Sequence, residues 1–393
     1  MDRPDTTVIP PDTVWLSDPA VQSVCRAISA EGADVYFVGG CVRDALLGLD
    51  GSDVDMATNV LPQQVMQLAE AQGLKVVPTG IDHGTVTVVA GGRGHEVTTF
   101  RRDAKTDGRR ADVTFCDDIT LDAGRRDFTL NALYATPDGA VIDPLGTGVV
   151  DCLARRIRFI NDADARIRED YLRVLRFFRF HAWYSDPQQG LDTDALDAIA
   201  QNGRGLENLS AERVGAEMSR LLAAPDPTPA VAAMQQTGVL QRVLPGSDLA
   251  LLGPVVHLEA SVQLPPDWRL RLVALGGEDV QPRLRMTNKD AKFVYKLRET
   301  IGDLKSLREI AYRFGLDIAQ GTLILRAAMA NEVLAPFQLD PLEMASKARF
   351  PVSAMDLMPA LQGKALGDRL ADLEAQWIAS DFQLSRDALI TGK

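Results

Sequence analysis

Val35-Tyr36-Phe37-Val38, a β-branched and aromatic run, ends on Gly39-Gly40, and the residues from Cys41 to Leu47 then take up helical spacing. A buried strand that turns within two glycines into a helix commits this part of the chain to an α/β layer. At such a junction the amides of the first helical turn lack helical partners and point outward, which favours an anion such as phosphate. The helix should stop near Gly48. After a short loop, Asp53-Val54-Asp55-Met56-Ala57 resumes an extended pattern, in which Asp53 and Asp55 share one face and Val54 turns to the core. A rise of roughly 3.3 Å per residue sets the two carboxylates about 7 Å apart along the backbone, close enough to converge on one or two hard cations. An Asp-x-Asp by itself is most often a solvated turn. Beside Gly39-Gly40 and Arg43 it gains the parts that phosphoryl chemistry needs, since two Mg²⁺ ions about 3.5–4 Å apart serve in-line transfer.

A chain of 393 residues suggests two to four domains. It has no run of about 18 apolar residues that would span a membrane. Its start, Met-Asp-Arg-Pro-Asp-Thr-Thr, lacks an apolar signal core, so a cytoplasmic protein is expected. Cys25, Cys41, Cys116 and Cys152 are far apart and read as reduced, half-buried hydrophobes. The four histidines, His83, His95, His181 and His257, are equally scattered, which argues against a zinc site or a histidine-aspartate (HD) hydrolase domain. A net charge of −12 opposes general polyanion binding, but binding is local. Residues 101–180 hold 15 of the 42 basic residues against 14 acidic ones, an arginine-dense segment in an acidic protein.

Along the chain, residues 14–30 read as an amphipathic helix. Val86 to Ala90 and His95 to Phe100 alternate about Gly91-Gly92 as a hairpin. The polar stretch 101–112 reads as a mobile loop. Beyond about residue 150 helical spacing takes over, as in Leu172, Leu175 and Phe178 or Val214, Met218, Leu221 and Leu222. The expected organisation is an α/β head over residues 1–150, a helical neck over 151–225, and a helical body and tail over 226–393.

Two further clusters carry chemistry. Arg125-Arg126-Asp127-Phe128-Thr129-Leu130-Asn131-Ala132 reads as the start of a helix with two guanidiniums at its positive end, and arginine forks match phosphate oxygens bidentately. In Glu169-Asp170-Tyr171-Leu172-Arg173-Val174-Leu175-Arg176-Phe177-Phe178-Arg179, the residues Asp170, Arg173 and Arg176 advance by three along one expected helix. A carboxylate that accepts from an exocyclic amine, beside a guanidinium that donates to a ring nitrogen, fits cytosine and adenine. Uracil and guanine present the reverse order and leave buried polar groups unpaired.

Gly39-Gly40-x-Val42-Arg43-Asp44 with Asp53-x-Asp55, Asp82-His83-Gly84-Thr85-Val86, Arg125-Arg126-Asp127-Phe128-Thr129-x-Asn131-Ala132, Ile142-Asp143-Pro144-x-Gly146 and Glu169-Asp170-x-x-Arg173 together resemble the class II CCA-adding tRNA nucleotidyltransferases. The motifs run in family order over about residues 34–180. Beyond them only Ser210-Ala211-Glu212-Arg213 and a helical character match. The resemblance implies a head of the DNA polymerase β type, followed by an all-α neck, body and tail. It implies Mg²⁺ held by the catalytic Asp53 and Asp55, a triphosphate held by Gly40, Arg43 and Arg126, and a nucleotide pocket of Asp170, Arg173, Arg176 and Arg179. Glu96 is a candidate further carboxylate. The substrates implied are CTP, ATP and the acceptor arm and 3′ end of tRNA, with neither DNA nor a membrane as partner. Lys289, Lys292, Lys296 and Arg298 are candidate tRNA contacts in the body. Three alternatives stay open: a bacterial poly(A) polymerase, an enzyme that adds only C or only A, and a non-catalytic RNA-binding homologue. Against the first stand Val77-Pro78-Thr79-Gly80-Ile81-Asp82-His83-Gly84, where a basic segment would be expected, and an acidic C-terminal part.

Overall fold

The computed structural model describes residues 7–49, 51, 53–103 and 113–392. They form two compact units. One holds the chain to Arg213 together with Ala233–Arg242, and the other holds Val214–Ala232 and Val243–Lys393.

In the first unit the expected single helix over 14–30 is two, α1 (Val14–Ser17) and α2 (Pro19–Ser29). Asp18 divides them by accepting the Ala20 N–H at 2.8 Å, with Pro19 supplying the preset φ of a first helical residue. Then follow β1 (Val35–Val38), α3 (Gly40–Leu47), β2 (Met56–Thr58), α4 (Pro62–Ala71), β3 (Lys75–Gly80), β4 (Thr85–Ala90) and β5 (Arg93–Thr99). β4 and β5 are the expected hairpin, and both turn glycines have positive φ, 57° at Gly91 and 75° at Gly92. β6 (Arg101–Asp103) and β7 (Val113–Phe115) pair antiparallel, so the stretch read as a loop over 101–112 begins as a strand and is followed by another; residues 104–112 lie outside the described residues. After α5 (Ile119–Gly124), β8 (Tyr134–Ala135) and β9 (Val141–Ile142) complete a seven-stranded sheet of order β3-β4-β5-β2-β1-β8-β9. β2 runs parallel to β5 and the other pairings are antiparallel.

The strand alternation places the core. Val38, Ala57, Phe100, Ala132 and Tyr134 bury one cluster with Tyr36 packed against it, while Phe37 meets Trp15 edge-on at 4.6 Å. α6 (Gly148–Leu153), α7 (Ala163–Glu169), α8 (Leu172–Tyr184) and α9 (Thr193–Asn202) continue the unit. On α8, Leu172, Val174, Leu175, Phe177, Phe178 and Phe180 are buried, whereas Arg173, Arg176 and Arg179 are half-buried, the more accessible stripe that the spacing predicts.

α10 (Ala211–Leu222) and α11 (Thr228–Gln236) each contribute residues to both sets. α12 (Val239–Val243), α13 (Leu252–Ser261), α14 (Trp268–Leu275), α15 (Val280–Arg283), α16 (Asn288–Ile301), α17 (Leu307–Phe314), α18 (Leu316–Ala330), α19 (Asp340–Lys347), α20 (Gly363–Ala379) and α21 (Arg386–Thr391) follow. Within the second unit, Arg271 of α14 is 1% exposed. It pairs with Glu259 at 2.7 Å and donates to the carbonyls of Leu222, Ala224 and Pro225, closing the end of α10. Near the C-terminus, Val352, Leu373, Trp377, Ile378 and Leu389 form their own core with Tyr312 and Phe350. No helix of the described residues is long and apolar enough to cross a membrane.

Candidate active site

The strand-glycine-helix junction forms as the sequence requires. Gly39 has φ 75°, and a Cβ there would sit 3.3 Å from Nη1 of Arg126, so both backbone and neighbour call for glycine. The first helical bond runs from the Arg43 N–H to the Gly39 carbonyl, so α3 does not consume the amides of Gly40, Cys41 and Val42.

The aspartates adjoin this turn. The Val38 N–H donates to the Asp55 carbonyl at 3.0 Å, extending the β1–β2 ladder by one step. β2 itself begins at Met56, so Asp53 and Asp55 stand in its extended lead-in with their side chains exposed, and Val54 is half-buried. Met56 pairs with Val97 in the parallel β2–β5 register, which sets Asp55 level with Glu96 on one face of the sheet. Desolvation, with Glu96 and Asp53 adding repulsion and Arg126 opposing it, pushes the Asp55 carboxyl up to about 6. Its open face to solvent screens part of that effect. A carboxylate crowded by two others and short of compensating charge is the setting a divalent cation relieves, and all three donors are hard oxygens. Among the described residues, no three His, Cys, Asp or Glu side chains are drawn together closely enough to hold a metal unaided.

Arg125 and Arg126 follow a helix rather than start one. Asp118 caps α5, Arg125 ends it, and only a three-residue 3₁₀ turn, Thr129–Asn131, comes after. Buried Asp122 gathers the local donors: Nε of Arg125 at 2.8 Å, Nη2 of Arg126 at 3.1 Å and the Tyr134 hydroxyl at 2.6 Å. Burial alone would raise the Asp122 carboxyl, but Arg126 and Arg125 hold it below the usual carboxylate range. Arg126 also donates to the Tyr134 hydroxyl and lies over its ring, with its side chain one-fifth exposed. Behind it, Arg166 donates to the Arg125 and Arg126 carbonyls, and Arg173 donates to that of Arg125 at 3.1 Å.

Arg43 departs from the expectation of a phosphate ligand. Its guanidinium is turned inward and buried, with Nε on Asp44 at 2.7 Å, Nη1 on Asn131 at 2.6 Å and Nη2 on the Tyr184 hydroxyl at 2.9 Å. A group whose donors are spent internally holds structure, so in this arrangement Arg43 braces α3.

Asp170 also departs from the expected stripe. It lies between α7 and α8 in extended backbone, accepts the Leu172 N–H at 3.1 Å, and pairs with Arg213 at 2.7 Å. Arg173 pairs with Glu169 at 2.5 Å, so the two expected base readers are neighbours with separate partners. Arg176 pairs with Asp127 at 2.6 Å, and Arg179 lies 4.6 Å from the Phe180 ring centre. Burial would raise the Asp127 carboxyl, yet Arg176 and Asn131 hold it low. No sequence expectation covers the pairing of Arg213 with Asp170, although the Ser210-Ala211-Glu212-Arg213 match is its signal. In the second unit, exposed Lys289 and Lys292 keep their candidacy on α16. Lys296 pairs with Glu299, and Arg298 turns inward to the Gly276 and Gly277 carbonyls.

A cavity of about 820 Å³ lined by Asp151, Arg158, Asp162, Asp192 and Asp197 contains none of these groups. Its acidic rim suits no polyphosphate. Asp162 and Asp192 serve there as helix caps.

The family described as Poly A polymerase head domain matches residues 35–158, and that described as Probable RNA and SrmB-binding site of polymerase A matches residues 190–251. A CCA-adding enzyme of Geobacillus thermodenitrificans is 34% identical over 385 residues, covering 94% of this chain and 92% of that protein. The human mitochondrial CCA tRNA nucleotidyltransferase 1 is 29% identical over 415 residues, covering 97% and 91%. Among solved structures, the Bacillus stearothermophilus CCA-adding enzyme in complex with CTP superposes with a TM-score of 0.74 at 29% identity, over 93% of this chain and 94% of that one.

Proposed function

Since the chain belongs to the family of CCA-adding tRNA nucleotidyltransferases, we propose that the site around Asp53, Asp55 and Arg126 joins C, C and A in turn to the 3′ end of tRNA. CTP and ATP are the donors and pyrophosphate leaves. The observation that carries this reading is that Asp55 stands level with Glu96, within electrostatic reach of Arg126, and is hydrogen-bonded to Val38, the last residue of the strand that enters the Gly39-Gly40 turn. Family members use a divalent metal, and we assign Mg²⁺ to Asp53 and Asp55, with Glu96 supporting from the neighbouring strand. When bound, the ion lowers the proton affinity of the attacking 3′-hydroxyl and neutralises the triphosphate.

The chain's own residues do the rest. Arg126, anchored on Asp122 and Tyr134 yet partly exposed, presents a guanidinium to the triphosphate beside the first-turn amides at Gly40. Arg43 holds α3 in place. Asp170 and Arg173 select cytosine and adenine by the donor-acceptor order of their edges, sharing with the base the groups now paired to Arg213 and Glu169. Arg176 and Arg179 complete that pocket on the half-buried stripe of α8. We take residues 1–150 as the head, 151–225 as the neck, and 226–393 as a body and tail that grip the acceptor arm by shape and phosphates. Four free cysteines agree with a reducing, cytoplasmic setting.

The test offers each nucleotide separately to tRNAs that end before CCA, after C and after CC. Two additions of C and one of A, with no extension afterwards and none in Asp53→Ala, are expected. A ladder of A alone would mark a poly(A) polymerase and sink this reading, and addition of only C or only A would reduce it to a partial activity.

A further inference from the structure

We infer that Tyr184, which lies outside every motif of the site, is a positioning residue for nucleotidyl transfer: it locks Arg43 and thereby fixes α8 against α3. The inference rests on the activity proposed above. Tyr184 is the last residue of α8, and its hydroxyl accepts Nη2 of Arg43 at 2.9 Å. Its ring lies 4.0 Å from the guanidinium carbon, with the Phe180 ring at 5.3 Å. The same guanidinium reaches α8 by a second route. Nη1 of Arg43 donates to Asn131 at 2.6 Å, the Asn131 amide donates to Asp127 at 3.0 Å, and Asp127 accepts from Nε of Arg176 at 2.7 Å.

The two routes meet α8 at residues 176 and 184, about 12 Å apart at 1.5 Å of rise per residue. A helix pinned at two such points cannot slide or roll on α3 without breaking a charge-assisted hydrogen bond. The Arg43 side chain is 5% exposed, so no water replaces a lost partner and the guanidinium would have to reorient. What the pins align is functional at both ends. α3 begins at the Gly39-Gly40 turn, which Val38 joins to Asp55, while α8 carries Arg173, Arg176 and Arg179. Displacement by a fraction of an ångström between nucleotide-holding and metal-holding groups slows the chemical step while leaving the binding contacts largely intact.

The experiment uses the full chain with tRNA ending before CCA. For Tyr184→Leu, which keeps apolar bulk but loses the hydroxyl and ring face, the rate at saturating CTP should fall at least tenfold, with KM for CTP changed less than threefold. ATP addition to tRNA ending in CC should fall in parallel. Tyr184→Phe, which keeps the ring and loses only the hydroxyl, should fall between Tyr184→Leu and the parent, about threefold to tenfold below the parent. A purely packing role would lower the Tm of Tyr184→Leu and leave its saturating rate, measured well below that Tm, at the parental value; that result overturns the inference, as does a loss confined to KM. If Tyr184→Leu does not fold, Tyr184→Phe decides, and parental rates there overturn it. Failure of the unsubstituted chain to add any nucleotide would instead count against the proposed function.

Discussion

Arginines around the carboxylates of the first unit and arginines inside the second unit have the same side chain and opposite consequences. In the second unit Arg271 closes the end of α10. Arg326 donates to the Thr300, Ile301 and Asp303 carbonyls at the end of α16, and Arg298 donates to those of Gly276 and Gly277 after α14. Each guanidinium answers the partial negative charge and unmet acceptors of a helix C-terminus. In the first unit Arg166 does the same for α5, but its beneficiary is Arg126, whose side chain stays partly exposed within electrostatic reach of Asp55. Arginine density therefore says little about polyanion binding. What sets Arg126 apart is that its own carbonyl is held by another arginine while its side chain, anchored on Asp122 and Tyr134, stays one-fifth exposed.

The comparison is tested most severely at Arg271. Arg271→Ala should cost about 3–5 kcal/mol, because it leaves Glu259 buried without its partner and three carbonyls without their donor. Urea unfolding should show the loss in the transition of the second unit. A cost under about 1 kcal/mol would mean that the carbonyl clasp is dispensable and that the two classes of arginine differ less than argued.

Arg173 stands between the classes, since it supports the Arg125 carbonyl, pairs with Glu169 and belongs to the base pocket proposed above. Arg173→Ala should relax the preference for CTP over UTP by about 10- to 100-fold, the effect of one charge-assisted hydrogen bond worth roughly 1.5–3 kcal/mol. Competition between the two nucleotides on a single tRNA measures it. Undiminished discrimination would move Arg173 into the purely structural class and remove the reading of Asp170 with Arg173 as a base template.

Much of this was legible locally. The Gly39-Gly40 turn, the hairpin about Gly91-Gly92 and the half-buried stripe of α8 all follow from residues within a few positions of one another. Three features were not. Asp170 keeps the i,i+3 spacing of the arginines, but its side chain captures the Leu172 N–H and starts α8 after it; periodicity runs through a cap unmarked. Arg125 and Arg126 read as a helix start, whereas Asp118 caps α5 upstream and basic residues suit the helix end where they stand. Arg43 is expected at the triphosphate because the motif contains it, whereas here its guanidinium is spent inside the fold. Two of its partners there, Asn131 and Tyr184, lie 88 and 141 residues away, beyond the reach of local sequence.

The opposite face of α8 gives a smaller and independent effect. His181 is 7% exposed, and desolvation drops its imidazole to about 4 from an ordinary 6.5. Its folded-state pKa is therefore depressed, and the unfolded chain binds more protons between these values. The contribution of His181 to stability is fully present above about 6.5 and is lost as pH falls toward about 4. Between pH 7 and pH 5.5 the loss should be about 1 kcal/mol, taking an unfolded pKa near 6.5. His181→Met keeps the apolar volume and cannot titrate, so its urea-unfolding free energy should fall by that much less than the parent's over the same interval. If parent and variant lose stability equally, His181 gains its proton while folded. The face of α8 opposite the arginines would then admit water, and the arginine stripe would rest on a helix less firmly seated than its burial indicates.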